Sequence, residues 1–326
     1  MKMKIIIIIQ LEKEVKEMRK LLSVIVVLVV MLAACGNKQE ASSDKDTHEV
    51  KHAMGTTKVP NNPKRVVVLT NEGTEALVSM GVKPVGAANS YYGNPWYKHL
   101  EKKYKDIEPV GGESEINLEK IAKLKPDLII GNKFRQEAQY KKLSEIAPTV
   151  FSKELRGDWK NNFKLYAKAV NKEDKGNEVL KNYDNHVKKA KEEIGDKANS
   201  EVSMVRFMPG DVRIYHKDTF SGVILDELGI KRPKGQDKND FAERGLTKER
   251  IEAMDGDYIF YFTFQEDDKK VSALEKEWVN DPAFKELNAS KKGHVYKVDD
   301  AVWNTSGGVL SANMMIDDLK EKLNEK

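Results

Sequence analysis

The chain has 326 residues, 40% of them hydrophobic and 33% charged, with 56 Lys and Arg against 52 Asp and Glu and a formal net charge of +4. So even a balance is no electrostatic footprint for nucleic acid, and a single cysteine, Cys35, excludes an intramolecular disulfide and a thiolate metal cluster. The length suffices for two ordinary domains, which must fold on their apolar cores alone.

The first segment reads as an export signal. Met18-Arg19-Lys20 is a basic start, residues 21–34 are apolar except for Ser23, and Leu32-Ala33-Ala34-Cys35-Gly36 closes the run. About 14 apolar residues suit a signal peptide and fall short of the roughly 20 needed to span a bilayer. Residues 1–34 are expected to be removed, with Met18 as initiator, leaving Cys35 as a lipidated N-terminus. That segment carries six Lys and Arg and three Glu, a net +3, so the remainder is left near +1. Residues 35–50 are polar and predict a flexible tether.

The N-terminal lobe is expected over 51–157. His52 to Thr57 suggests a first strand or hairpin, Arg65 to Leu69 a buried strand, Gly73 to Met80 a helix and Val82 to Ala87 a second strand. Asn89 to Tyr97 is an aromatic loop. Asn117 can cap the helix that carries Glu119. Leu128 to Gly131 is a strand, and Ile146 to Val150 returns to the sheet. Residues 158–196 are helical. Within them Val179, Leu180, Tyr183, Val187, Ala190 and Ile194 recur at spacings of three and four, which predicts one long amphipathic helix from about Asn171 to Gly195, with Gly176 a weak point.

The C-terminal lobe, 197–326, opens with the strand Val202 to Phe207 and a hairpin partner at Arg213-Ile214-Tyr215. A helix over Phe220 to Leu228, a strand over Asp257 to Phe264, a helix over Trp278 to Leu287, a strand over His294 to Val298, a loop over Asp299 to Gly308 and a closing helix over Val309 to Leu323 follow. The two lobes echo each other. LEKIAKLKPDLIIGN at Leu118 and KERIEAMDGDYIFYF at Lys248 match Glu119 with Glu249, Ile121 with Ile251, Asp127 with Asp257 and Ile129 with Ile259. EALVSMGVKPVG likewise matches GVILDELGIKRP, with Gly81 against Gly229. The fold class is α/β: two lobes with mainly parallel central sheets joined by one long helix, and a ligand cleft between them.

Ligands in parallel α/β sheets bind beyond the carboxyl ends of the strands. Those ends collect Thr70, Asn71 and Glu72; Tyr91, Tyr92 and Trp96; Phe134 and Arg135; Arg206 and Phe207; Arg213 and Tyr215; Phe264; and Trp303, Asn304 and Thr305. Arginines and rings alternate, as a bulky, partly apolar anion requires. The chain contains no G-x-S-x-G, P-loop, G-x-G-x-x-G or H-E-x-x-H motif. Its six histidines are scattered, so no catalytic residue, no metal ligand and no cofactor is expected. Acidic pairs such as Asp267-Asp268 read as solvent-facing charge.

The lipobox cysteine, the KRVVVL strand, ALVSMGVKPVG, NLEKIAKLKPDLII, IAPTV, the bridging helix and the WNTSGG loop resemble the iron-siderophore substrate-binding lipoproteins of ABC importers, a long-helix class of periplasmic binding protein. Within that class NKFRQE, VRFMP with RIY, and AVWNTSGG resemble receptors for citrate-based siderophores such as schizokinen or staphyloferrin B. The resemblance implies ligand contacts at Arg135, Arg206, Arg213, Trp303 and Asn304, permease docking through Glu119 and Glu249, and a lipid-anchored monomer on the extracytoplasmic face. A small number of arginines favours a citrate-hydroxamate chelate. Binding of haem, cobalamin or a catecholate siderophore, or siderophore hydrolysis, are the alternatives.

Overall fold

The computed structural model describes residues 46–265 and 268–325. The expected signal peptide, Cys35 and Asp267 lie outside them. Thr47–His52 (β1) and Gly55–Pro60 (β2) pair as an antiparallel hairpin. Residues 47–50, expected in the tether, therefore belong to the fold, because Val50 faces the core and is buried.

Two main sheets are built around central strands rich in β-branched and aromatic residues. Val66–Val68 (β3), Gly86–Asn89 (β4), Glu108–Gly112 (β5), Glu115–Ile116 (β6), Leu128–Asn132 (β7) and Thr149–Ser152 (β8) lie in the order β6-β5-β4-β3-β7-β8. All neighbours are parallel except β5 and β6. Val202–Met208 (β9), Asp211–Tyr215 (β10), Ala242–Glu243 (β11), Tyr258–Thr263 (β12) and Val295–Lys297 (β13) form the second sheet, in the order β11-β10-β9-β12-β13. Here β9, β12 and β13 are parallel, and β10 and β11 make an antiparallel flank. Strands β3, β7 and β12 are covered on both faces, which is why their sequences are nearly continuous apolar runs rather than alternating ones.

The internal echo is structural. Asp127 accepts from the backbone N–H groups of Lys64 and Arg65, just before β3. Asp257 accepts from Glu201 N, just before β9. Each aspartate thus pins the start of the central strand beside it. Gly81 and Gly229 both end a helix at positive φ, 76° and 75°, a backbone region that costs other residues a Cβ clash. Asn117 caps Leu118–Lys123 as expected, accepting from Lys120 N at 2.9 Å.

The connecting helix runs Glu173–Ile194 and buries Leu180, Tyr183, Val187, Ala190 and Ile194. Gly176 is a contact rather than a weakness. A Cβ there would stand 2.7 Å from Ala167 Cβ, so glycine lets the helix Trp159–Ala169 approach. The closing helix, Val309–Asn324, packs along the connecting helix and touches helices of both lobes, Asn71–Ser79 and Phe220–Leu228. One apolar cluster therefore runs from Val66 and Leu128 through both long helices to Met204 and Phe260. Between Trp278 and Leu287 the expected single helix is replaced by the end of Lys269–Val279 and a new turn, Pro282–Lys285, capped by Asp281.

Candidate functional site: an arginine-lined cleft

A cavity of about 370 Å³ opens between the lobes, within the usual range for small-ligand sites. Tyr91, Glu72, Glu113, Phe134 and Arg135 line it from the first lobe. Arg206, Arg213, Tyr215, Phe241, Arg244 and Phe264 line it from the second, and Asn304 to Gly307 close one side. Arg156 enters from the crossing segment. Of the expected site residues, Arg135, Arg206, Arg213, Tyr91, Tyr215 and Asn304 are brought together here, with Phe134, Phe264 and Thr305 from the strand-end set.

Four expected residues are elsewhere. Phe207 follows Arg206 on β9, and alternation along a strand sends it to the opposite face, against Tyr261 and Trp278. Trp303 is fully buried, stacked on Phe260 at 4.8 Å, with its indole N–H donated to Asp318 Oδ2 at 2.7 Å. Trp96 packs edge-on against Tyr104 in a satellite core. Tyr92 borders a neighbouring cavity and donates its hydroxyl to Asp299 at 3.2 Å.

Among the cleft residues missed from sequence, which include Glu113 and Phe241, Arg156 and Arg244 add positive charge. Each follows a strand, β8 and β11, so the strand-end rule covers both. Strand β11 has only two residues and leaves no periodicity to read. Arg156 holds φ at 96°, a left-handed backbone costing of order 1–3 kcal/mol at a residue with a Cβ. Its guanidinium lies between rings of opposite lobes, 5.7 Å from the centroid of Phe134 and 4.6 Å from that of Phe241.

Four of the five arginines have a carboxylate partner. Arg206 meets Asp300 at 2.6 Å and 3.0 Å and donates to Tyr215 Oη at 2.8 Å. Burial, which would lower its pKa, is outweighed by Asp300, so the buried guanidinium stays charged. Arg213 bonds Asp211 at 2.6 Å. Arg156 stands 3.6 Å from Asp218, and Arg135 Nε stands 3.5 Å from Glu113. That Arg135 nitrogen is buried without a hydrogen-bond partner among the described residues. Arg244 lies over the Phe241 ring at 5.1 Å, and no carboxylate pairs with it among the described residues. Glu72 also faces the cleft, but burial pushes its carboxyl well above the ordinary range, against the lowering bonds from Tyr166 and Asn162. Five guanidiniums thus face four partner carboxylates, and Arg244 is the one left without such a partner among the described residues. Tyr91 is kept protonated by burial and by Glu113, to which it donates at 2.8 Å.

Glu119 and Glu249 stand apart from the cleft, each exposed on the first turn of its helical segment. Glu119 pairs with Lys123 at 2.7 Å. The bond from Thr247, then that from its own backbone, holds the Glu249 carboxyl below its usual range. Among the described residues, no group of three His, Cys, Asp or Glu side chains is placed to hold a metal ion, and no helix is long and apolar enough to cross a membrane.

Two α/β lobes on a helical spine, with a charged and aromatic cleft between them, define a binding protein, and the chain belongs to the periplasmic binding protein family, whose model matches residues 66–302. It is 48% identical over 312 residues to the probable siderophore-binding lipoprotein YfiY of Bacillus subtilis (strain 168), covering 92% of this chain and 96% of that one. The Fe(3+)-citrate-binding protein YfmC of the same organism is 29% identical, over 94% of this chain and 97% of its own. The crystal structure of Staphylococcus aureus SirA complexed with staphyloferrin B superposes with a TM-score of 0.79 at 38% identity, covering 86% of this chain and 99% of that one.

Proposed function

We propose that this chain is the extracytoplasmic, lipid-anchored receptor of an ABC importer and binds a ferric siderophore of the citrate-hydroxamate type, such as schizokinen. The observation that carries the reading is the cleft's lining: five arginines and a set of rings from both lobes, with Arg244 lacking a carboxylate partner among the described residues. A hexadentate siderophore saturates Fe(III), so the protein need only recognise the outside of the chelate and supplies no metal ligand. One α-hydroxycarboxylate and two hydroxamates give Fe(III) a net charge of about −1, which the arginines of the cleft suit. The Arg135 N–H groups suit carboxylate or hydroxamate oxygens as a planar fork. In this reading Cys35 carries the anchor, Glu119 and Glu249 dock on the permease, and the receptor works as a monomer.

A second reading is favoured by the likeness to the staphyloferrin B complex and by the arginine count, which exceeds the three expected from sequence. It is a carboxylate-rich chelate with more negative charge.

Fluorescence titration of the mature protein with ferric schizokinen, ferric staphyloferrin B, ferric enterobactin and haem separates these. The first reading requires tightest binding to ferric schizokinen, with Arg135→Ala and Arg244→Ala each weakening it on the order of 10- to 100-fold. Tightest binding to enterobactin or haem overturns the ligand class. Arginine variants that all match wild type overturn the site. Metabolic acyl labelling that survives in Cys35→Ala overturns the anchor.

A further inference from the structure

Glu113 is the one carboxylate of the cleft that reaches three separate first-lobe elements. It sits in the turn between β5 and β6 and is nearly fully buried. Its Oε1 accepts from the backbone N–H of Asn71 at 2.7 Å and from Asn71 Nδ2 at 2.9 Å, at the start of the helix Asn71–Ser79. Its Oε2 accepts from the Tyr91 hydroxyl, in the aromatic loop, and faces Arg135 Nε in the turn Lys133–Gln136. Its backbone oxygen accepts from Gln136 Nε2 at 2.6 Å, and Gln136 in turn bonds Asn132 N and Leu69 O. The two groups aligned by Glu113, a phenol and a guanidinium, both line the cleft.

We propose that Glu113 is the specificity-determining residue for ligand charge: it holds Tyr91 and Arg135 in place and, by offsetting Arg135, limits how much negative charge the cleft accepts. Three arginine partners, Asp211, Asp218 and Asp300, belong to the second lobe or its approach. Glu113 is the first-lobe carboxylate paired with a cleft arginine. A carboxylate already bonded to two backbone or side-chain amide donors and a hydroxyl stays in place when a ligand arrives, so its field acts on every ligand alike. Coulomb's law then penalises a chelate in proportion to its charge, so a carboxylate-rich chelate loses more than a singly charged one.

The inference rests on the ferric-chelate reading above. The measurement is the ratio of affinities for ferric staphyloferrin B and ferric schizokinen. Glu113→Gln keeps the size and an acceptor for Asn71 while removing the charge. The ratio should move towards staphyloferrin B by roughly tenfold. Glu113→Asp keeps the charge on a shorter stem, so both affinities should fall while the ratio stays put. A ratio unchanged in Glu113→Gln, with wild-type melting, overturns the proposal. Should that variant fail to fold, Arg135→Gln carries the test. It leaves Glu113 unopposed and should move the ratio the other way by a similar factor, and an unmoved ratio again overturns the proposal. If wild type binds neither chelate, the ligand reading is what fails. The role of Glu113 is then read with citrate alone, which should raise the melting temperature of Glu113→Gln more than that of wild type. Equal shifts overturn it.

Discussion

Trp303 and Asn304 are neighbours with opposite fates. One stacks in the core, the other edges the cleft. Trp303→Phe should therefore cost stability and spare the ligand. It leaves the Asp318 carboxylate without the indole donor, worth about 1–2 kcal/mol in denaturant melts, with affinity within about twofold of wild type. A large loss of affinity at unchanged stability would return Trp303 to the site. Glu72 makes a pH prediction. Burial raises its folded-state pKa, so the native protein holds this proton more tightly than the unfolded chain does. The resulting stability is complete below the ordinary carboxyl value of 4.5 and is lost as pH rises from there towards the folded value. Glu72→Gln cannot ionise, so it should gain on wild type in melts taken from about pH 5 to about pH 8. Parallel curves for the two proteins would show that Glu72 does not titrate this way.

At the scale of elements, the N-terminus of the closing helix is held by a carboxylate from the other end of the chain. Glu75, fully buried on the helix Asn71–Ser79, accepts from Leu310 N at 2.8 Å, Ser311 N at 2.9 Å, and the hydroxyls of Ser306 and Ser311. A carboxylate there meets both free N–H groups and the positive end of the helix dipole. Glu75→Ala should cost about 3 kcal/mol, since it leaves several buried donors unpaired, and Glu75→Gln clearly less. Equal losses from the two would assign the effect to packing. Such a pairing is invisible in sequence, because nothing local announces a partner 236 residues away. What was legible follows local rules: the long helix from its apolar stripe, the central strands from β-branched runs, the lobe repeat from Asp127 and Asp257. Of the expected ligand aromatics, Phe207 left the cleft for a simple reason. A ring after a strand has two faces to choose from, and Phe207 shows that the sequence neighbour of a cleft residue takes the other. Arg156 was hidden by a left-handed turn and Arg244 by a strand of two residues.

At the largest scale, a single apolar cluster and two packed helices tie the lobes together, and because close-packed interiors do not deform continuously, closure on ligand is expected to be small. Solution scattering with and without a bound ferric chelate should give nearly equal radii of gyration. A marked contraction would mean that the spine bends. Glu119 and Glu249 occupy matching exposed turns on the two lobes, spaced by that same frame. Glu119→Ala combined with Glu249→Ala should leave affinity intact and lower iron import on the order of tenfold. Import at the wild-type rate, or weakened binding, removes both from docking.

The Glu75 pairing also has a bearing on how the chain matures. The first lobe contains a carboxylate buried for partners that are synthesised last, so no amount of waiting lets that lobe finish its interior while the C-terminus is still missing. The surroundings of residue 75 can close only once residues 306–311 are present, and non-local closures of this kind come late in folding. Were the chain exported unfolded, as the proposed function requires, a last step set by the final helix would leave the leading half pliable during passage.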